Sequence, residues 1–378
     1  MGLRFTALDR IFLWWVIATL AMGTAAGPSV QRFVNRAGVV FDAAATYFLC
    51  RCWVRDLDGL RHVAGFLAVL VVPLALGMIV EKISGRNFFY LLGGVAEYGE
   101  VRDGRLRCQG AFRHPILAGT YAATLLPCLV GLLFNPHSRG LALVGSASAG
   151  IAVCASGSSG ALLAMLTVAV GCASWRIKNH MRHFRWALVL VVLGFALVMN
   201  APVWYLIARI STICGGTGWH RSYLIDQAVQ HFGEWWLTGS TYTAHWAPSG
   251  MVLPSDPNNM DITNQYIAEG LGGGVLKLGL FLYMIILCYK TVGRLVIKTT
   301  TFCFSDRIFV WSVGVSLTAH CVSFISISYF DQIVVMWYLL LASVSMLSSL
   351  ETKDPLGTED ANAPRPIVVN PVQTYESL

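Results

Sequence analysis

The stretch Glu97–Gly119, EYGEVRDGRLRCQGAFRHPILAG, is the densest polar feature of a mostly apolar chain, and the fold is read outward from it. Four arginines, Arg102, Arg105, Arg107 and Arg113, fall within twelve residues, interrupted by Asp103. Asp103-Gly104 is a tight-turn dipeptide, because both central positions of a type I′ turn need positive φ. Val101 to Arg107 is therefore expected as a short hairpin, with Arg105 and Arg107 on one face of their strand. Arg113-His114-Pro115 follows. Proline is best tolerated in the first turn of a helix, so Pro115 is expected to open the apolar helix beyond it. The product is a basic cluster at the mouth of a membrane helix. Guanidinium forks match phosphate oxygens, which suits a polyanion. The competing reading is a lipid-headgroup anchor, since lysine and arginine are common beside membrane helices.

The chain has 378 residues, 56% of them hydrophobic and 12% charged, with a positive mean hydropathy. That is membrane composition and predicts an all-α polytopic protein. The net charge of +7 speaks first to topology and anionic membrane lipid, and no nucleic-acid motif is present. The ten cysteines form no CxxC pair. No HExxH, GxSxG or Walker pattern occurs, and the reading calls for no metal ion and no cofactor. Asp56-Leu57-Asp58 is the one Asp-x-Asp pair and reads as a solvated loop.

Apolar periodicity gives about ten expected spans over residues 1–350, followed by a polar, disordered tail over 351–378. They are Ile11–Gly27, Val39–Val54, His62–Val80 around Pro73 and His114–Phe134, two between Gly140 and Trp175, then Trp186–Asn200. One begins in DITNQYIAEGLGGGVLKLGLF, and the last two are Ile308–Ile327 and Tyr329–Leu347. Gly140 to Trp175 carries no Asp, Glu, Lys or Arg. As a single helix it would be about 54 Å long against roughly 30 Å of hydrocarbon, so it is expected to break at Ser156-Gly157-Ser158-Ser159-Gly160. Two polar segments interrupt the spans, at 81–113 and 201–263. The second opens with PVWYLIARI, expected along the membrane surface. WHRSYLIDQAVQHFGEWW follows, with Leu224, Ala228, Phe232 and Trp235 at helical spacing; Gln227, His231 and Glu234 fall on another face, read as solvated.

An even number of spans puts both termini on one side. The basic connections at Arg51–Arg61, Arg139, Arg176–Arg185 and Lys290–Arg307 then gather there, which makes that side cytoplasmic. The segments 81–113 and 201–263 fall outside. An arginine-dense outer loop runs against the charge rule, and this favours a bound polyanion. Cys108 and Cys214 are the two cysteines expected outside, close enough in topology for a disulfide to be considered. The outer candidates for diphosphate binding are Arg107 and Arg113, then Arg105 and Arg221, with Asn264 at the head of the next span. Candidates for a general base are His245, Asp261 and Glu269.

The run GRNFFYLLGGVAEYGEVRDGRLRCQGAFRHPILAG, the break SGSSG, the outer Trp219-His220-Arg221 and the closing ITNQYIAEGLGGGVLKLGLF together resemble the O-antigen ligase and O-antigen polymerase superfamily. The resemblance covers roughly Glu81 to Leu282. It implies a glycosyltransferase of the bacterial inner membrane, acting in polysaccharide biosynthesis on a polyprenyl-diphosphate-linked glycan donor and a glycan or lipid acceptor. Where ligases of that superfamily commonly show His-Asn this chain has Thr263-Asn264, and Ser158-Ser159 replaces a common Ser-Arg. The resemblance therefore supplies no base. Two other classes compete. A lipid-linked glycan transporter or flippase calls for charges within several spans, and Asp42 and Lys277 are the clear ones. A non-catalytic scaffold would bind other polysaccharide-synthesis proteins.

Overall fold

The computed structural model describes residues 4–102, 104–214, 218–248, 252–253, 256–299 and 302–351. The tail beyond Glu351, expected to be disordered, lies outside them, as does Asp103. The chain is predominantly helical. It runs α1 (Ala7–Ala25), α2 (Val30–Trp53), α3 (Leu57–Ser84), β1 (Glu100–Arg102), β2 (Arg105–Arg107), α4 (Pro115–Leu132), α5 (Arg139–Ala155), α6 (Ser159–Ala173) and α7 (Met181–Val198). It continues through α8 (Tyr205–Cys214), α9 (Gly218–Gln230), α10 (Phe232–Trp235), β3 (Val252–Leu253), β4 (Asp256–Met260), α11 (Gln265–Leu271), α12 (Gly274–Lys298), α13 (Phe304–Ser323) and α14 (Ile333–Glu351).

Among the described residues, six helical segments are long and apolar enough to cross a membrane: Ala7–Ala25, Leu57–Ser84, Pro115–Leu132, Ser159–Val198, Gly274–Ile297 and Ile333–Leu350. The difference from about ten has local causes. α5 is apolar but only 17 residues long. α6 and α7 are joined by a 3-10 stretch, Ser174–His180, into one helical run. α2 carries Arg32, Arg36, Asp42 and Arg51 along its length, and α13, which holds most of the span expected over Ile308–Ile327, carries Asp306, Arg307 and His320.

α4 is the central helix, packed against α3, α5, α6 and α13. Small residues bring the axes together. A Cβ at Gly119 would lie 2.4 Å from Ser156 Oγ, and one at Gly131 would lie 2.4 Å from Ser312 Oγ. Close approach of this kind lets helices pack without a solvent-driven apolar seam. α7 has no buried residue on any face.

The two ends of the bundle differ in chemistry. At one end, Thr6 and Asp9 form a capping box that starts α1. Buried Asp9 also accepts from Tyr47 Oη (2.5 Å), Arg51 Nε (3.2 Å) and Ser345 Oγ (2.7 Å), so one carboxylate ties α1, the end of α2 and α14. Arg61 at the start of α3 bonds Asp306 at the start of α13, and Phe304 packs on Phe134 and Trp175. The basic connections collect at this end. The segments 81–113 and 218–263 meet at the other.

Within the segment 201–263, the single amphipathic helix expected over 219–236 is not continuous. It breaks at His231 between α9 and α10, and Phe232 is exposed while Leu224, Ala228 and Trp235 are buried. The β3–β4 ladder in its second half was not foreseen. The helix expected to open span eight stops at Gly272–Gly273, so α11 is a separate short helix before α12.

Candidate functional site

The expected hairpin is present. Glu100 pairs with Arg107, Val101 with Leu106 and Arg102 with Arg105, and Gly104 has φ +70° in the turn. Directly opposed residues share a face, so Glu100, Arg102, Arg105 and Arg107 project to one side. Burial grades along it: Arg105 at the tip is exposed and Arg107 at the base is buried.

The loop after β2 is pinned from below. Buried Glu81, at the end of α3, accepts the backbone N–H of Gln109 (3.1 Å) and of Gly110 (2.9 Å). Asn87 Nδ2 donates to Gly110 O at 2.8 Å, and Cys108 N donates to Ala155 O at 3.1 Å. That last bond fastens the arginine loop to the end of α5, beside the small-residue break. Gly110 adopts φ +54°, and a Cβ there would meet Leu74 at 2.6 Å, so only glycine fits.

Ser156-Gly157-Ser158 breaks α5 from α6, as the charge-free length requires. Gly157 has φ +57°, and a Cβ there would lie 3.2 Å from Arg107 Cγ. In the first turn of α6, a Cβ on Gly160 would lie 3.7 Å from Arg221 Nη2. Arg107 and Arg221 thus approach the N-terminal turn of α6 from the hairpin and from α9. The N–H of Ser158, the residue before that turn, donates to Ser156 Oγ at 3.3 Å, but its side chain makes no capping bond, which leaves the first amides of α6 itself to an anion.

Arg107 Nη1 donates to Glu100 Oε2 at 2.7 Å, while its buried Nε has no partner among the described residues. Burial pulls the Arg107 guanidinium below its ordinary value; Glu100 acts to raise it and Arg102 to lower it. Arg221 is held down by burial and then by Arg102. Among the described residues no carboxylate lies within ion-pair distance of Arg221. Two histidines complete the surroundings. His114 caps α4 through Nδ1, which accepts from Ile116 N at 3.1 Å, and its Nε2 lies 3.7 Å from Glu100. Among the described residues the buried Nδ1 of His220 has no partner. Burial lowers both imidazoles, and the charge of Asp261 acts on both in the opposite direction; the Asp261 backbone also bonds His220. The guanidinium-bearing side chains of Arg107 and Arg221 thus stand at the N-terminus of a helix, where the backbone field favours an anion.

The other expected residues lie elsewhere. Arg113 is exposed at the rim, 3.7 Å from Asp331, which itself takes φ +49°. Asn264 caps α11 by accepting from Ile267 N at 3.2 Å. Glu269 is buried and uses both oxygens: Lys277 Nζ at 3.1 Å, Trp15 Nε1 at 2.9 Å and Gln265 Nε2 at 2.7 Å. His245 meets Glu234 and His231 rather than the arginines. Cys108 is a free thiol, pushed up to about 11 by burial, and the side chain of Cys214 lies outside the described residues.

Sequence reasoning passed over Glu81 and Asn87 as parts of the site, and it placed Arg102 in the basic cluster without choosing it for the diphosphate. Glu81 could have been noticed as a lone carboxylate closing an apolar helix. His220 stood in the quoted Trp219-His220-Arg221 element without a role. Comparison of the chain with protein-family models, with curated proteins and with solved structures finds no match.

Proposed function

We propose that this chain is a multi-pass membrane glycosyltransferase that polymerises or ligates a polyprenyl-diphosphate-linked oligosaccharide on the outer face of a bacterial inner membrane. The observation that carries the reading is the convergence of Arg107 and Arg221 on the open N-terminus of α6, with Asp261 and two histidines alongside. Such a site suits a diphosphate at the end of a membrane-embedded lipid. Glu100 and Asp261 do not neutralise the arginines around it.

In the transfer, a hydroxyl of the acceptor loses its proton to Asp261 as its oxygen attacks the anomeric carbon of the donor. The anomeric C–O bond breaks, and its electron pair leaves on the diphosphate. Arg107, Arg221 and the α6 amides hold the charge that develops there. Asp261 is chosen over His245 and Glu269 because its charge acts on both histidines of the cluster, while the other two are paired elsewhere. His220 and His114, neutral through burial, orient the carboxylate and the incoming hydroxyl. A transport pathway is the weaker reading, because Lys277, the clear charge inside α12, is paired with Glu269.

The direct test is the purified chain in detergent with a polyprenyl-diphosphate oligosaccharide and an acceptor glycan. Release of free polyprenyl diphosphate together with a longer or ligated glycan is expected. Movement of intact donor between leaflets of a vesicle, with no release, would replace this reading by transport.

The sidedness rests on the charges gathered at one end of the bundle. Reporter fusions after Asn135 and after Lys298 are expected to read cytoplasm, and a fusion within Trp235–Asp256 to read the outside. A cytoplasmic signal from the last site would put the arginine cluster on the wrong face for this donor.

A further inference from the structure

A second cluster lies in the same polar segment, away from the arginines. His231 stands at the break between α9 and α10, and Glu234 follows one helical turn later. His245 comes from the 3-10 turn Ala244–Trp246 and closes on the same carboxylate. His231 Nδ1 is 2.9 Å from Glu234 Oε1, and His245 Nε2 is 3.1 Å from Oε1 and 3.0 Å from Oε2. One ligand atom from each residue can be chosen so that all lie within 4.8 Å of one another.

We infer that His231, Glu234 and His245 form a binding site for a borderline divalent transition cation, with zinc as the best fit, that clamps the 231–246 segment.

The donor set is two imidazoles and a carboxylate, which suits zinc and not the hard cations calcium or magnesium. Zinc bonds nitrogen and oxygen at about 2.0–2.2 Å, so neighbouring ligand atoms of a tetrahedral site stand about 3.3 Å apart. The contacts to Glu234 need to open by only a few tenths of an ångström to admit the ion. Each ring would then carry its proton on its outward nitrogen. Three protein ligands leave a fourth position, and the half-exposed side chains open it to water.

The surroundings hold the ligands in place. Trp246, fully buried, donates Nε1–H to Glu234 Oε2 at 3.1 Å, the kind of outer partner that orients a ligating carboxylate. The His231 ring stacks on Trp246 at 13° between planes, and the His245 ring stacks on Tyr242 at 10°. Two residues before His245, Thr243 bonds β4 three times: its N–H donates to Asn258 O at 3.0 Å, its hydroxyl donates to Asn259 Oδ1 at 3.1 Å, and the same hydroxyl accepts from Met260 N–H at 3.0 Å. Asp261 follows Met260. A cation here would stiffen the strand that delivers Asp261, with no chemical step passing through the ion. The site stands independently of the glycosyltransferase reading, and its test reads metal, not turnover.

The full chain, purified in detergent and stripped with a chelator, is titrated with zinc against a chromophoric competitor. One equivalent per chain is expected, with a rise in thermal unfolding temperature, since an ion that binds only the folded state stabilises it. Glu234→Gln and His245→Asn keep hydrogen-bonding groups at these positions. Both are expected to weaken zinc binding by at least about tenfold, the loss that follows removal of even an outer partner. His231→Cys supplies another zinc ligand and should retain binding; its cobalt(II) form should show a thiolate-to-metal absorption absent from wild type. The inference fails if wild type takes up no stoichiometric zinc. It fails equally if Glu234→Gln and His245→Asn, shown folded by their unfolding transitions without metal, bind zinc as wild type does.

Discussion

Arg107→Lys is expected to cut glycan transfer by about a hundredfold or more while the protein accumulates and inserts normally. The estimate follows the loss seen when one donor to a developing oxyanion is removed. Lysine keeps the charge but cannot present the planar fork, and its Nζ cannot serve both Glu100 and a diphosphate in Arg107's geometry. Arg221→Lys is expected to behave alike, because its guanidinium reaches the same turn of α6. The double variant should lose little more than either single one if both act on one leaving group. Arg105→Lys, exposed at the hairpin tip, and Arg113→Lys, exposed at the rim, are expected to stay within a few-fold of wild type. The assay is release of polyprenyl diphosphate at matched protein levels. Wild-type turnover by Arg107→Lys would reduce the cluster to a headgroup anchor.

Two carboxylates eight residues apart should fail in opposite ways. Glu269→Gln is expected to lower the unfolding temperature markedly, because it strands Lys277 beside Trp15 with a neutral amide. Breaking a buried ion pair by removing one partner costs about 3–5 kcal/mol. Glu269→Gln combined with Lys277→Met should recover most of that loss, since no buried charge is then left unpaired and the amide oxygen can still accept from Trp15. Asp261→Asn is expected to leave the unfolding temperature unchanged, as the residue is exposed, while donor accumulates and transfer falls by about a hundredfold or more. Thermal unfolding in detergent and the release assay, run on all the variants, separate the two effects. Full transfer by Asp261→Asn would remove it as the base and leave leaving-group stabilisation as the main source of rate.

Periodicity and turn chemistry alone determined a good deal of this protein. Asp103-Gly104 marked the hairpin, Pro115 marked the start of α4, and the charge-free run from Gly140 located the break at Ser156–Ser158. These are local rules: a turn dipeptide, a first-turn proline and a length limit act within a few residues of themselves. The composition of Glu97–Gly119 also singled out the arginines as the chain's unusual feature. What the sequence left open was which of them mattered. Arg105 and Arg107 are equivalent on paper, yet one is at an open tip and the other is buried beside Gly157. That difference comes from Glu81 and Ala155, which fasten the loop from 28 and 47 residues away. Arg221 joins the site only because α9 folds back over α6. His245 and Glu269, sensible bases in one dimension, are drawn to Glu234 and to Lys277 by side chains that no spacing rule connects. Tertiary packing decided these pairings because a buried charge takes the nearest partner in space, and nearness in space is not written in the local pattern.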